Sequence, residues 1–478
     1  MLIKRLARAA GFCRAMNRSY NMNMCEGPLT GKIVRYALPL VATYLLQHAF
    51  HLADIIVIGQ FAETSKSLAA IGTTGDLNAL VLNLIWGVSV GANVVVAQSY
   101  GAKDRRSLVH AVHTSLALAL AFGVLVCVGG VAFAPYMLTG INAQGEVLRK
   151  ATLYWRICLF GAPFMLVYNY CCSVLRALGD TRRPLVFLSI SGIANVVLNI
   201  VFVTAFKMDV AGVALATALS QLLSAVLVLR VMLSSVGPER IMLRHVRFYW
   251  PEVRRMLHIG VPAGIQGAFF SISNVIIMAA INTLGHEATA GNVAACQIEG
   301  VMYVIVIAMY QTAMAFSGQN YGAKKYDRVR RSVLICTWQL TLVIIVLSAI
   351  GIVFGEQLLG FITPDRAVVK QAESRLYLTL SSYFLLGFMD IATGGLRGVG
   401  RSVFPAVVSL LGACGFRIVW VETTFPMERF HSLWGLLISY PVSWGAVALI
   451  NGGMFFLVVH LLIRRQRRQA VCGGGEPC

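Results

Sequence analysis

Four polar residues in otherwise apolar surroundings have the types and spacing to handle a small cation. Asp54 stands inside YALPLVATYLLQHAFHLADIIVIG, the run from Tyr36 to Gly59. A carboxylate at the centre of a membrane helix costs about 2.5–3.5 kcal/mol on the lenient insertion scale, so such groups are kept for a use. Asn195 and Asn199 lie one helical turn apart in ISGIANVVLNIVFV and so share a face. Counted at 1.5 Å per residue, Asp54 lies about 27 Å from the start of its run, Asn195 and Asn199 about 17 and 22 Å into theirs, and Thr217 about 8 Å from the opposite end. All four therefore reach the same depth. One carboxylate, two amide oxygens and a hydroxyl suit a hard cation such as Na⁺, or a network around an acid that takes up H⁺. The competing reading of the amides and hydroxyl is hydrogen bonding between helices.

Other ionisable groups are scattered through apolar stretches. Glu299 and Arg417 fall at similar depth, and two readings stay open: an ion pair with each other, or direct handling of substrate or protons. Asp390 lies six residues before Leu396 and is a candidate for an inner gate or a cation site. Together with Asn169 these form a second polar set. His48 and His51 precede Asp54 on nearby faces; a metal site there is disfavoured, and a His51–Asp54 proton pair is the more credible role. Pro39, fifteen residues before Asp54, frees a carbonyl and permits a kink. Gly87-Val-Ser89-Val-Gly91 matches the serine-hydrolase pattern, but no strand-to-helix elbow surrounds it, so it reads as close helix packing.

These residues need long apolar helices to position them. The chain has 478 residues, 58% hydrophobic and 13% charged, about half the charge of a soluble domain. Its net charge of +20 sits in short clusters between apolar runs, a pattern that excludes nucleic acid as the partner and points to the bilayer. Twelve runs are long enough to span: 35–59, 68–97, 108–134, 152–175, 184–206 and 211–233, then 256–284, 289–317, 332–355, 374–396, 404–425 and 434–463. The basic segment 234–255 separates two bundles, 31–233 and 256–463, and 464–478 forms a basic tail. The basic clusters Lys103–Arg106, Arg182–Arg183, Lys324–Arg331 and Arg464–Arg468 fall on one side, which the positive-inside rule makes cytoplasmic, with both termini. Residues 1–30 read as a basic tail whose start is ambiguous, Met24 being an alternative first residue. The eleven cysteines have no paired spacing and read as packing residues.

The halves repeat. QSYGAK at 98–103 recurs as QNYGAK at 319–324, and Leu175, Arg176, Gly179 and Pro184 recur as Leu396, Arg397, Gly400 and Pro405, all at an offset of 221. Two six-span units inserted in the same direction are related by a pseudo-twofold axis along the membrane normal. The expected fold is therefore an all-α integral membrane protein of twelve helices in two six-helix bundles that rock about a cleft. The repeat fails at the ionisable positions: Asp54 maps near Asn274, Asn169 onto Asp390, and Asn78 onto Glu299.

LPLVATYLLQHAFHLADIIVIGQF, SVGANVVVAQSYGAK, LRALGDTRRP, IANVVLNIVF and GVALAT, with QIEGVMYVIVIAMYQTAMAFSGQNYGAK, MDIATGGLRGVGRSVFP and GACGFRIVW, resemble MATE transporters, the multidrug and toxic-compound extrusion family, over about Leu29–Leu462. The resemblance implies a secondary antiporter of bacterial type in the inner membrane, exporting organic cations, drugs or other xenobiotics in exchange for H⁺ or Na⁺. It implies a coupling role for Asp54. Some members carry an N-x-x-x-D pair in the fifth span, where this chain has Asn195 and Asn199, so the coupling ion stays open. A monomer without cofactor is expected, taking small cationic or amphipathic substrates. The alternatives are a flippase for a lipid-linked precursor, whose relatives carry several cleft arginines, and a membrane-embedded enzyme, for which no catalytic constellation is present.

Overall fold

The computed structural model describes residues 20–61, 65–140 and 145–472. The basic segment 1–19 lies outside them. Among the described residues there are helices and turns and no strand. Helices α1 (Leu29–Phe61), α2 (Ser65–Gly101), α3 (Arg105–Gly140), α4 (Gly145–Phe160), α5 (Ala162–Ala177), α6 (Arg182–Ile200) and α7 (Asp209–Ser234) make the first half. The second half holds α8 (Trp250–Asn282), α9 (His286–Gly322), α10 (Tyr326–Val353), α11 (Gly355–Gly360), α12 (Arg366–Gly398), α13 (Val403–Ser409), α14 (Phe416–Thr423), α15 (Leu433–Leu437) and α16 (Ser439–Cys472).

Among the described residues ten helices are long and apolar enough to cross a membrane, and α4–α5, bent by 43°, makes an eleventh when taken as one span. Helix α1, 33 residues and about 50 Å long, has the length for a twelfth. In lipid no water satisfies backbone groups, so the chain must close its hydrogen bonds within helices. The expected twelve-helix, all-α architecture is therefore the observed one.

The chain forms two compact units. Unit 1 comprises Met1–Asn23 and Leu38–Leu257; unit 2 comprises Met24–Ala37 and His258–Cys478. In unit 1 the segment 235–249 is held onto the bundle: Met242 N donates to His113 Nε2 (3.0 Å), Tyr249 N to Thr114 Oγ1 (3.3 Å), and the Tyr249 ring stacks on His110 at 3.9 Å. In unit 2 the buried Met24 donates its backbone N–H to Gln319 Oε1 (3.2 Å), while its carbonyl accepts from Asn320 Nδ2 (3.3 Å) and Arg328 Nε (3.0 Å).

The internal repeat extends to backbone detail. Lys103 and Lys324, 221 residues apart, both close their helices with φ of 56°. Asp104 N bonds Ser99 O at 3.2 Å and Lys325 N bonds Asn320 O at 2.9 Å, the same left-handed helix end built twice. Gly179 and Gly400 take φ of 94° and 85°, a region that costs glycine nothing, and their neighbours Asp180 and Arg401 return N–H bonds to Leu175 O and Leu396 O, each at 2.9 Å.

Candidate functional site

In unit 1 the four residues matched by depth form one chain of hydrogen bonds. Asn199 Nδ2 donates to Asp54 Oδ1 and, at 3.3 Å, to Asn195 Oδ1; Asn195 Nδ2 in turn reaches Thr217 Oγ1 at 3.5 Å. Helix α6 supplies both amides from one face, α1 the acid and α7 the hydroxyl. The close approach of α1 to α6 depends on Gly192, one turn before Asn195. A Cβ there would lie 1.8 Å from the ring of Phe50, so only a glycine admits that ring. A π turn, Val201–Ala205, follows Asn199. Such turns shift the helical register and recur beside functional groups.

The donor and acceptor inventory of this cluster is lopsided. Asn195 and Asn199 are buried, and Asn199 Oδ1 is enclosed with no donor. Asp54 faces amide and hydroxyl groups and no cation: none of the ion pairs among the described residues includes it. The free amide oxygen and carboxylate together fit a cation or a proton better than they fit each other. Tyr154 and Cys158 on α4 lie within reach of the Asp54 charge. Sequence reading missed them, because they are common residues in an apolar run. His51 is exposed, and its charged neighbour is His48 and not Asp54, so the His51–Asp54 pair does not form. No group of three His, Cys, Asp or Glu among the described residues is placed to hold a metal.

Unit 2 corrects one expectation. Glu299 pairs with Arg375, not with Arg417. Its Oε1 accepts from Arg375 Nε (2.8 Å) and its Oε2 from Arg375 Nη2 (2.7 Å), a bidentate, side-on pair of hydrogen bonds between α9 and α12. Thr379 Oγ1 adds a third bond to Glu299 Oε1 at 2.7 Å, and Arg375 Nη1 also donates to Asn292 Oδ1. Arg417 stands elsewhere in the unit: its guanidinium lies 3.9 Å over the Tyr440 ring, with Nε donating to Ser443 Oγ at 3.1 Å. Helix α12 starts at Arg366, eight residues before the apolar run that hydropathy marks, which places Arg375 well inside the bundle.

The remaining candidates are dispersed. Asp390 on α12 has Arg397 as its charged neighbour. Arg397 itself donates to Tyr310 Oη (2.5 Å) and Gln266 Oε1 (2.7 Å). Asn169 bonds back to its own helix at Met165 O (2.9 Å), an ordinary packing role. Pro39 sits inside the unbroken α1, one residue past the point where that helix passes from unit 2 to unit 1, and its carbonyl accepts from Thr43 Oγ1 at 2.7 Å. Ser89 is likewise turned onto its own helix, donating to Trp86 O at 2.8 Å, so the hydrolase-like pattern makes no elbow.

Known proteins resemble this chain in sequence and in fold. The chain is 24% identical over 432 residues to the probable multidrug resistance protein YoeA of Bacillus subtilis, covering 88% of this chain and 92% of that one. It is 21% identical over 437 residues to the multidrug export protein MepA of Staphylococcus aureus, covering 91% and 95%. Its fold is similar to that of a multidrug resistance MATE family transporter of the MOP superfamily in the outward-facing conformation, with a TM-score of 0.85 at 21% identity, over 93% of this chain and 99% of that one. A MATE structure in the bent conformation gives 0.84 at 21% identity, over 92% and 98%. The MatE family model matches residues 39–201 and 262–421, one stretch in each unit, and the chain belongs to that family.

Proposed function

We propose that the chain is a secondary active antiporter that exports organic cations, drugs or other xenobiotics in exchange for H⁺ or Na⁺, by rocking of its two six-helix units. The observation that carries this reading is the unit 1 cluster: a membrane-embedded acid, Asp54, bonded to Asn199 beside an enclosed amide oxygen without a donor. An acid in that setting has two stable conditions, protonated or paired with a bound cation, and exchange between them is what couples an ion gradient to a conformational change. The similarity to YoeA, a probable multidrug resistance protein, and to MepA, a multidrug export protein, supports the substrate class. The clustering of basic residues on the loops at the termini's side supports an inner-membrane orientation with both termini cytoplasmic.

The test is transport in proteoliposomes under separately imposed pH and Na⁺ gradients, with a cationic dye as cargo. The wild type responds to one of the two gradients, and Asp54→Asn abolishes that response while the protein stays folded. Gradient-driven export at the wild-type rate by Asp54→Asn would end this reading.

A further inference from the structure

Inside unit 2 the charges do not balance at Arg417. The nearby Arg375 shows how this bundle satisfies a buried guanidinium: two bonds to Glu299 and one to Asn292. Glu299 is thereby used up, with Thr379 taking a further position on it. Asp390 has Arg397 for its charged neighbour. Arg417 is 2% exposed, belongs to no ion pair among the described residues, and has its Nη2 buried with no acceptor. Among the described residues its Nε donates to a neutral hydroxyl, Ser443 Oγ, and its face rests on Tyr440 with the Trp444 ring 5.8 Å away. Arg375 approaches the same Tyr440 ring at 5.8 Å, so two guanidiniums share one aromatic while the carboxylate of Glu299 serves Arg375 alone.

The local backbone aims this side chain inward. A π turn, Leu410–Gly415, precedes Phe416 and Arg417. One extra residue in a helical turn rotates everything after it by about 100°. By the constant repeat offset of 221 Arg417 matches Val196; the inserted residue brings it into phase with Asn195, a member of the unit 1 cluster. The turn thus spends helix regularity to present a cation where its counterpart presents an amide.

We propose that Arg417 anchors an oxyanion-binding site in unit 2, taking a carboxylate or phosphate group on the guanidinium edge that carries Nη2, beside the aromatic walls Tyr440 and Trp444. A planar guanidinium held flat by an aromatic and by one hydrogen bond is preorganised for such a group, and an anion supplies the acceptor and the counter-charge that the protein omits. The substrate range then includes molecules that carry an acid group on an aromatic body, in addition to cations. This inference goes beyond the antiport reading and does not depend on Asp54.

The experiment uses the full chain in phosphatidylcholine nanodiscs and fluorescence anisotropy with two dyes, anionic carboxyfluorescein and cationic rhodamine 6G. The wild type binds carboxyfluorescein saturably, and inorganic phosphate or phosphatidylglycerol added to the disc competes. Competition by the lipid makes a headgroup the occupant, whereas competition by phosphate alone makes it a soluble anion; either supports an oxyanion site. Arg417→Gln weakens carboxyfluorescein at least tenfold, Arg417→Lys weakens it less, and rhodamine 6G binds all three alike. Asp54→Asn keeps carboxyfluorescein binding even when its gradient-driven transport is gone, which separates the two proposals. If Arg417→Gln does not fold, the wild type and Arg417→Lys decide. Carboxyfluorescein binding that neither competitor displaces, or that is unchanged in the variants that fold, overturns the site.

Discussion

The two units are built on one repeat and filled with opposite chemistry. In unit 1 an acid without a cation sits among amides and a hydroxyl, Asp54 with Asn199, Asn195 and Thr217. In unit 2 a fully engaged ion pair, Glu299 with Arg375, lies near a cation without an acid, Arg417. The shared features are backbone features: the helix ends at Lys103 and Lys324, and the turns at Gly179 and Gly400. Backbone geometry is thus repeated at these places, while the ionisable side chains inside the two bundles differ. The contrast also separates two uses of buried charge. A matched pair holds helices together, whereas an unmatched charge is a cost that only a ligand or proton can relieve.

The largest expected effect tests that separation. Removing one member of the matched pair strands the other in the bundle, so Arg375→Ala or Glu299→Ala should cost ~3–5 kcal/mol of stability. The charge-swapped double variant, Glu299→Arg with Arg375→Glu, should recover part of it. Asp54→Asn should leave stability within about 1 kcal/mol of the wild type, since it removes an acid that no cation offsets. Thermal unfolding in detergent, followed by fluorescence-detected chromatography, measures all of these. Equal losses for Asp54→Asn and Glu299→Ala would erase the distinction between the two units.

A smaller effect sharpens it at one helix contact. Gly192 in α6 receives the Phe50 ring, while its repeat partner, 221 residues on, is the fully buried Ala413. Gly192→Ala should cost about 1–3 kcal/mol by overpacking and push α1 away from α6, lengthening the Asn199–Asp54 bond. Transport should fall with it. Ala413→Gly should cost only about 0.5–1 kcal/mol through backbone entropy, with substrate binding intact. Comparing dye transport and melting temperature for the two variants shows whether unit 1 alone depends on a glycine at this place.

The sequence made unit 1 readable for a simple reason. Asp54, Asn195, Asn199 and Thr217 lie on continuous helices, so counting at 1.5 Å per residue brought them to one depth, and the observed bonds follow that count. Depth says nothing about direction around the axis. Glu299 and Arg417 also share a depth, but α9 turns Glu299 toward α12 and its Arg375. Arg375 escaped notice because hydropathy puts it at the rim of its span: the apolar run begins at 374, the helix at Arg366. The π turn before Arg417 is equally invisible to a periodicity of 3.6, which assumes the regularity that such a turn breaks. His51, three residues before Asp54 on the same helix, is exposed and makes no pair with it.

The smallest effect concerns how each unit fastens one of its connections. In unit 1 the fastening is ionic: the fully buried Glu239 accepts from Arg183 Nη2 (3.0 Å) and Ser235 Oγ (2.8 Å), and Asp180 holds the other side of Arg183. In unit 2 the matching loop uses a neutral bond, Ser402 Oγ to Ile259 O at 2.6 Å. Burial pushes the Glu239 carboxyl up, but its hydrogen bonds and the Arg183 guanidinium outweigh that and hold it below the usual carboxylate value of 4.5. A carboxyl depressed on folding contributes stability that is fully present above its unfolded pKa and lost as pH falls through the folded one. Amide hydrogen exchange in 235–249 should therefore be flat from neutral pH down to the ordinary carboxylate range and rise below it, after correction for intrinsic rates. Glu239→Gln should remove the acid step and speed exchange at neutral pH, whereas exchange around Ser402 should show no such step. A step of equal size in both units would mean that the ionic fastening of unit 1 adds nothing to what a hydroxyl already provides in unit 2.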